Sequence, residues 1–231
     1  MPGGSMKAMP VRMLASALVL AAGAIGLRAD PWWVTWTGDA YPETQGWTRY
    51  SSNPAAHRWL EDGKLFIDSR AAPFISESYG QSRRGQMTLA PGETFRFSWA
   101  VKVTEVLPLR AVDPGIWVSS DDQWDVLLNL GIDTIDSFYE PGKHASFTPG
   151  VFHVFELHSS DLRTYRLSID GTPAFEGVFF KSLFYMPGVG WGDVTTGRSL
   201  AEWDWVHAGI VPEPSAWLLA GPLALVRRMS T

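Results

Sequence analysis

The sequence contains no cysteine. That single absence excludes disulfides, thiolate metal sites and cysteine nucleophiles together. A chain of 231 residues can bury one good core without covalent staples, but hardly two full domains. Charge is also sparse: 19% of residues are Asp, Glu, Lys or Arg, and their formal sum is −5. With acidic groups in excess and no basic stripe, a phosphate backbone is repelled, which excludes nucleic acid as a partner. Sustained helical periodicity is missing between residues 30 and 210. So are Gly-x-Ser-x-Gly, a phosphate loop, a dinucleotide fingerprint and His-Glu-x-x-His.

What the chain has instead is aromatic side chains, 12 Trp and 12 Phe. Such residues favour strands, and Trp recurs in sugar-binding sites. In "TFRFSWAVKVTEV", Phe95, Phe97, Trp99, Val101 and Val103 alternate with Arg96, Ser98, Ala100, Lys102 and Thr104. This is the period of a strand buried on one side. "KLFIDS" follows the turn "EDG" and puts Leu65 and Ile67 on one face. "WDVLLNLG" groups Trp124, Val126, Leu128 and Leu130, with Asp125 and Asn129 opposite. "VFHVFELHSS" and "TYRLSIDG" flank a polar connection, and Asp170-Gly171 turns the second into "TPAFEGVFF". Closely spaced turns with no helix between them predict a β-sandwich or barrel.

The two ends read as addresses. Lys7 and Arg12 precede an apolar stretch, Met13 to Leu27, with small residues near Ala24 and Ala29 for cleavage. That is the pattern of a secretory signal peptide over residues 1–29. At the other end, the apolar run Ala216 to Val226 contains Pro222 and is shorter than the roughly 20 residues a spanning helix needs. The order Val211-Pro212-Glu213-Pro214-Ser215, apolar run, Arg227-Arg228 resembles the PEP-CTERM sorting signal of Gram-negative and related bacteria. The resemblance implies that an exosortase recognises and processes residues 211–231, a short apolar sorting helix. Pro212, Glu213 and Pro214 would form the motif, and Arg227 and Arg228 the basic tail held on the cytoplasmic side during export. The apolar stretch is shorter than is usual in that family. Transient membrane contact through both termini, and a final location in the cell envelope or outside the cell, are the expectation.

A second resemblance covers most of residues 30–210. "FHVFELHSSDLRTYRLSIDGTPAFEG" is similar to the paired strands of concanavalin A-like lectin/glucanase (LamG-like) domains. "VGWGDVTTGRSLAEWDWVHAGI" is similar to their closing strands, and "WTGDAYPETQGWTRYSS" and "HRWLEDGKLFIDS" to their opening. The resemblance implies an all-β jelly-roll sandwich of two antiparallel sheets, one concave. It also implies contact with an extracellular polysaccharide through aromatic stacking and polar groups on the concave sheet. On the alternation above, Arg96, Asp125 and Asn129 point away from the core toward the open face. They are candidate ligand contacts, or else ordinary solvated sheet positions.

Catalysis has one candidate. "EWDWVH" resembles the Glu-x-Asp-x-x-Glu strand of some glucanases, with Glu202 and Asp204 in the first two positions. His207 stands where the last Glu belongs, so a pair of carboxyls about 5–5.5 Å apart lacks its usual proton donor. Strict alternation sets Glu202, Asp204 and Val206 on one face and Trp203, Trp205 and His207 on the other. His153 and His158, an odd number of residues apart, fall on opposite faces and cannot share a metal. "SSDDQWD", Ser119 to Asp125, is a candidate calcium loop without the spaced ligands of an EF-hand, or else a solvated Asp-rich turn. Three functions remain open: a non-enzymatic, glycan-binding envelope or matrix protein; a glycoside hydrolase or polysaccharide lyase; and a structural matrix component without a ligand.

Overall fold

The computed structural model describes residues 32–51, 55–71, 77–107, 114–182, 186–193 and 198–212. Its strands in chain order begin with β1 (Val34–Thr37), β2 (Thr48–Ser51), β3 (His57–Glu61), β4 (Lys64–Asp68), β5 (Glu77–Ser82) and β6 (Glu93–Val106). Next come β7 (Pro114–Ser119), β8 (Trp124–Leu130), β9 (Thr134–Ser137), β10 (His144–Ser146) and β11 (His153–Ser159). The last are β12 (Thr164–Ile169), β13 (Thr172–Val178), β14 (Phe180–Lys181), β15 (Gly188–Asp193) and β16 (Ser199–Pro212). A 3-10 turn at Pro42–Gln45 is the one helical element among the described residues.

The strands pair antiparallel into two eight-stranded sheets. The first runs β13-β12-β11-β6-β16-β4-β3, with β1 also on β16, and the second β10-β9-β8-β7-β15-β5-β2, with β14 on β8. The alternating apolar positions explain the layering. Phe95 to Val103 of β6 and Leu65 and Ile67 of β4 are buried on the inner face of the first sheet. Val126, Leu128 and Leu130 of β8, with Ile116, Val118, Val189 and Trp191, are buried from the second. Trp124 departs from the expected set. It is half-buried at the start of β8, its ring covered by Arg163 at 4.3 Å and Lys181 at 5.3 Å. The Asp170-Gly171 turn has both residues at positive φ, 52° and 76°, which is what a tight hairpin between twisted strands requires.

Strand β16 corrects the strict alternation expected for "EWDWVH". Trp203 pairs with Val101 but Trp205 pairs with Ala100, which leaves Asp204 as an extra, unpaired residue. One bulged residue reverses the phase of the pleat. Trp203 therefore faces the core together with Val206 and Ala208, while Glu202, Trp205 and His207 are only half-buried. The strand also runs past residue 210: Val211 pairs with Thr94 and Pro212 with Glu93. The first proline of Pro-Glu-Pro is thus the last residue of the sandwich. The rest of that motif, Arg227, Arg228, the expected sorting helix and the signal segment lie outside the described residues.

Two features hold the sheets together. Trp191 lies 4.9 Å from each of Trp36, Tyr79 and Trp203 and meets Trp47 edge-on at 5.8 Å. At the margin where β3 ends one sheet and β2 ends the other, the buried Glu77 accepts from Arg49 Nε at 2.6 Å and Nη2 at 2.9 Å. Tyr79 donates to Glu77 at 3.1 Å and accepts from Arg58 at 2.7 Å, and Arg58 also holds Glu43 at 2.7 Å. Burial holds the Tyr79 phenol well above its ordinary range, so it stays a donor.

Candidate functional site

The outer face of the second sheet carries one cross-strand row in which Tyr50, Ser78, Gly192, Gly115, Asn129 and Asp136 are successive neighbours. His144 on β10 follows Asp136 at the end. A step of two residues along the strands, about 7 Å, leads to a second row of Gly80, Gly190, Trp117 and Leu127. The glycines are there for the rings. A Cβ on Gly190 would lie 2.1 Å from Trp117 Nε1, and one on Gly80 2.9 Å from Tyr50 Cε2 and 3.0 Å from Trp117 Cζ2. Without those Cβ atoms, the two rings lie down on the backbone and form one aromatic floor.

Beside that floor is a row of acceptors. Asn129 is only 8% exposed, its Nδ2 donates to Asp136 Oδ1 at 3.5 Å, and its Oδ1 has no hydrogen-bond partner. The carboxylate sets the amide's orientation, because the flipped form would put oxygen against oxygen. Burial pushes the Asp136 carboxyl above the usual carboxylate range, against the opposing pull of the Asn129 hydrogen bond and of His144. Asp125, on the same face, accepts from the Ser119 hydroxyl. Tyr139 stacks on Phe180 at 4.9 Å beside it, and burial, then the Asp125 charge, raise the Tyr139 phenol. Among the described residues, no Lys or Arg occupies an outward position on these strands: Arg49 turns in to Glu77, and Lys181 donates to the Asp122 carbonyl. The face can stack an apolar ring and accept hydrogen bonds.

The candidate contacts read from the sequence do not form one site. Asp125 and Asn129 share this face, whereas Arg96 lies on β6, on the outer side of the other sheet. The alternation of a strand says which residues point outward, not which sheet it joins. Arg96 donates to Glu156 at 3.0 Å and sits 5.5 Å from the Trp32 ring. On that same side Lys102 pairs with Glu202, which also accepts from Thr104 at 3.3 Å. Charges there neutralise one another across strands. Asp204 is the bulge residue, and its carbonyl accepts from Gly38 N–H at 3.0 Å.

Among the described residues, the outward carboxylates Asp125 and Asp136 of the second sheet do not form a glycosidase pair either. Asp136 neighbours Asn129, and Asn129 is four positions from Asp125 along β8. That separation is on the order of 13 Å, beyond the roughly 5–9.5 Å that paired catalytic carboxyls need. The acidic loop is used to fasten neighbouring segments. Asp121 accepts from the backbone of Gly85 at 2.7 Å and Met87 at 2.8 Å, and Asp122 holds Arg163 at 2.7 Å. Among the described residues, no three His, Cys, Asp or Glu side chains converge as a metal site would require. His153 faces inward, 2.6 Å from Asp170 and 2.8 Å from the Thr148 carbonyl, while His158 faces outward, as their spacing predicts.

Tyr50, Trp117 and Asp136 belong to the site and were not singled out by their sequence. The available signal was "GVGWGD", where alternating glycines on a strand mark a close approach by something else.

No protein-family model matches this chain, and no curated protein does. Solved structures match its fold. A galectin-like protein of unknown function from Bacillus subtilis aligns with TM-score 0.55 at 9% identity, covering 80% of this chain and 99% of that one. A carbohydrate esterase from a Shiga toxin-encoding bacteriophage aligns with TM-score 0.53 at 11% identity, covering 78% and 98%. A sialidase aligns with TM-score 0.52 at 11% identity, covering 78% of this chain and 19% of that much longer one. The chain is a concanavalin A-like jelly roll, a galectin-like sandwich of two antiparallel sheets.

Proposed function

We propose that this chain is a non-enzymatic, exported protein of the bacterial cell envelope or extracellular matrix that binds a glycan on the outer face of its second sheet. Trp117 and Tyr50 stack on the apolar face of a sugar ring, while Asp136 accepts from a polar substituent further along the glycan. The observation that carries the reading is the aromatic floor, the Trp117 and Tyr50 rings laid against the backbone of Gly190 and Gly80 on the outer face of the sheet. The fold accords with the reading but does not carry it, since one fold serves many functions.

The test uses purified protein on a glycan array. Trp117→Ala is expected to weaken every hit by about tenfold or more, roughly 1.4 kcal/mol. Tyr50→Ala is expected to weaken binding while leaving the unfolding free energy within about 1 kcal/mol, because the ring is 36% exposed. If both variants bind as the parent does, the face is not the site.

Export and sorting rest on the sequence patterns at the two ends. An exosortase would process the C-terminal segment, with membrane contact only in transit. Deleting residues 213–231 keeps Pro212 in its strand, so the fold should survive. The deletion is expected to change cellular location and to abolish the mass shift of processing. Unaltered fractionation and mass would end the sorting assignment.

A further inference from the structure

The aromatic floor is one end of a longer strip. Leu128 pairs with Ser137, so Phe138 follows Leu127 as the next neighbour in the row of Gly80, Gly190 and Trp117. Its N–H donates to the Leu127 carbonyl at 3.0 Å. Tyr139 meets Phe138 edge-on at 5.1 Å and stacks on Phe180, which pairs with Asp125 on the same face. Among the described residues, the most exposed aromatic side chains are Tyr50, Phe138 and Phe180, and all three lie on this face. From Tyr50 on β2 to Phe138 just past β9, the strip crosses five strand intervals, about 24 Å. That is the length of several sugar rings in a row. Carboxylates stand along both margins. A step of two residues, about 7 Å, separates Phe138 from Asp136 on one side and Leu127 from Asp125 on the other.

We infer that this face takes an internal segment of an extended, unbranched, uncharged glycan of the cello-oligosaccharide type, lying across the strands along the row of Trp117, Leu127 and Phe138. This rests on the glycan-binding reading above and adds the shape and charge of the glycan. The row is straight because it follows direct cross-strand pairing, and its rings lie flat where Gly80 and Gly190 make room. A chain with all-equatorial linkages is a straight ribbon, with C–H faces for aromatic contact and hydroxyls along both edges. Laid on the strip, it puts rings over rings and edge hydroxyls toward Asp136 at one margin and Asp125 at the other. A chain with axial linkages coils and meets a straight row with few of its sugars. Asp125 and Asp136 face outward with no Lys or Arg beside them on these strands, among the described residues, so an anionic chain is repelled. The net charge of −5 acts in the same direction.

The experiment is titration calorimetry of the full-length protein with four probes: cellobiose, cellohexaose, maltohexaose and oligogalacturonate. Cellohexaose is expected to bind about tenfold or more tightly than either cellobiose or maltohexaose, with no binding of oligogalacturonate. Phe138→Ala is expected to weaken cellohexaose by about fivefold and to leave cellobiose, held on Trp117 and Tyr50, as in the parent. Phe138 is 51% exposed, so the variant keeps its fold, which circular dichroism checks. Val151→Ala trims an exposed apolar side chain outside the row and is expected to change neither affinity, which separates the strip from general adsorption to apolar surface. Equal affinity for cellobiose and cellohexaose, or for the two hexasaccharides, overturns the extended-chain assignment alone. So does an unaltered cellohexaose affinity in Phe138→Ala, an equal loss in Val151→Ala, or tight binding of oligogalacturonate. If cellohexaose fails to bind while the array gives other hits that Trp117→Ala removes, this assignment falls and the glycan reading stands. No binding of any probe, with no hit on the array, overturns both.

Discussion

Trp191→Ala is expected to lower the unfolding free energy by about 3–5 kcal/mol, the range for deleting a large aromatic side chain from a packed core. Trp191 is fully buried, and its neighbours come from both layers: Trp36 and Trp203 from the first sheet, Tyr79 from the second. Its removal opens a cavity at the point where the sheets grip each other. The surrounding rings are too large and too tightly held by their strands to collapse into it. Trp191 Nε1 makes no hydrogen bond, so the loss is packing alone. Trp191→Phe is therefore expected to recover more than half of it. A domain of this size has about 5–15 kcal/mol of stability in total, so the alanine variant stands near the edge of folding. Urea unfolding followed by far-UV circular dichroism measures the difference. A loss below about 1 kcal/mol would remove Trp191 from its central place in the core.

The second large effect is electrostatic. Glu77→Ala is expected to cost about 3–5 kcal/mol, because breaking a buried ion pair leaves its partner charged and unpaired. The two arginines will not suffer equally. Arg49 is 36% exposed and can turn toward water, whereas Arg58 is 17% exposed and bound to Tyr79 and Glu43. Combining Glu77→Ala with Arg58→Leu should thus be less damaging than the sum of the two changes by at least about 1 kcal/mol. Strict additivity of the two substitutions would show that the network does not act as a unit. The exposed pair Arg166–Glu176, with side chains 80% and 71% accessible, is the natural contrast, since water already solvates both partners.

Glu77 also shows how burial escaped the one-dimensional pattern. "ESYGQS" does not announce a buried carboxylate, and β5 became legible only when β2 and β3 brought Arg49 and Arg58 to it from the ends of two different sheets. In contrast, "TFRFSWAVKVTEV" declared both its strand and its inner face, because Phe95 to Val103 alternate without interruption. Asn129 stands between these cases. Its outward direction was readable from Val126, Leu128 and Leu130, but its company was not. Asp136, Gly115 and Trp117 approach it through strand pairings with no local sequence signature.

What the sequence determined by itself was therefore local: a cysteine-free all-β domain, the inner faces of its unbroken strands, the Asp170-Gly171 hairpin and the absence of known catalytic motifs. Each follows from interactions between residues close in the chain, where side-chain period and turn chemistry act directly. The tertiary structure alone decided which strands became neighbours. It put Arg96 on one side of the sandwich and Asp125 and Asn129 on the other, absorbed Asp204 into a bulge, and laid the Trp117 ring over Gly190. Those outcomes depend on register between distant segments, and register is settled only when both sheets bury their apolar faces at once.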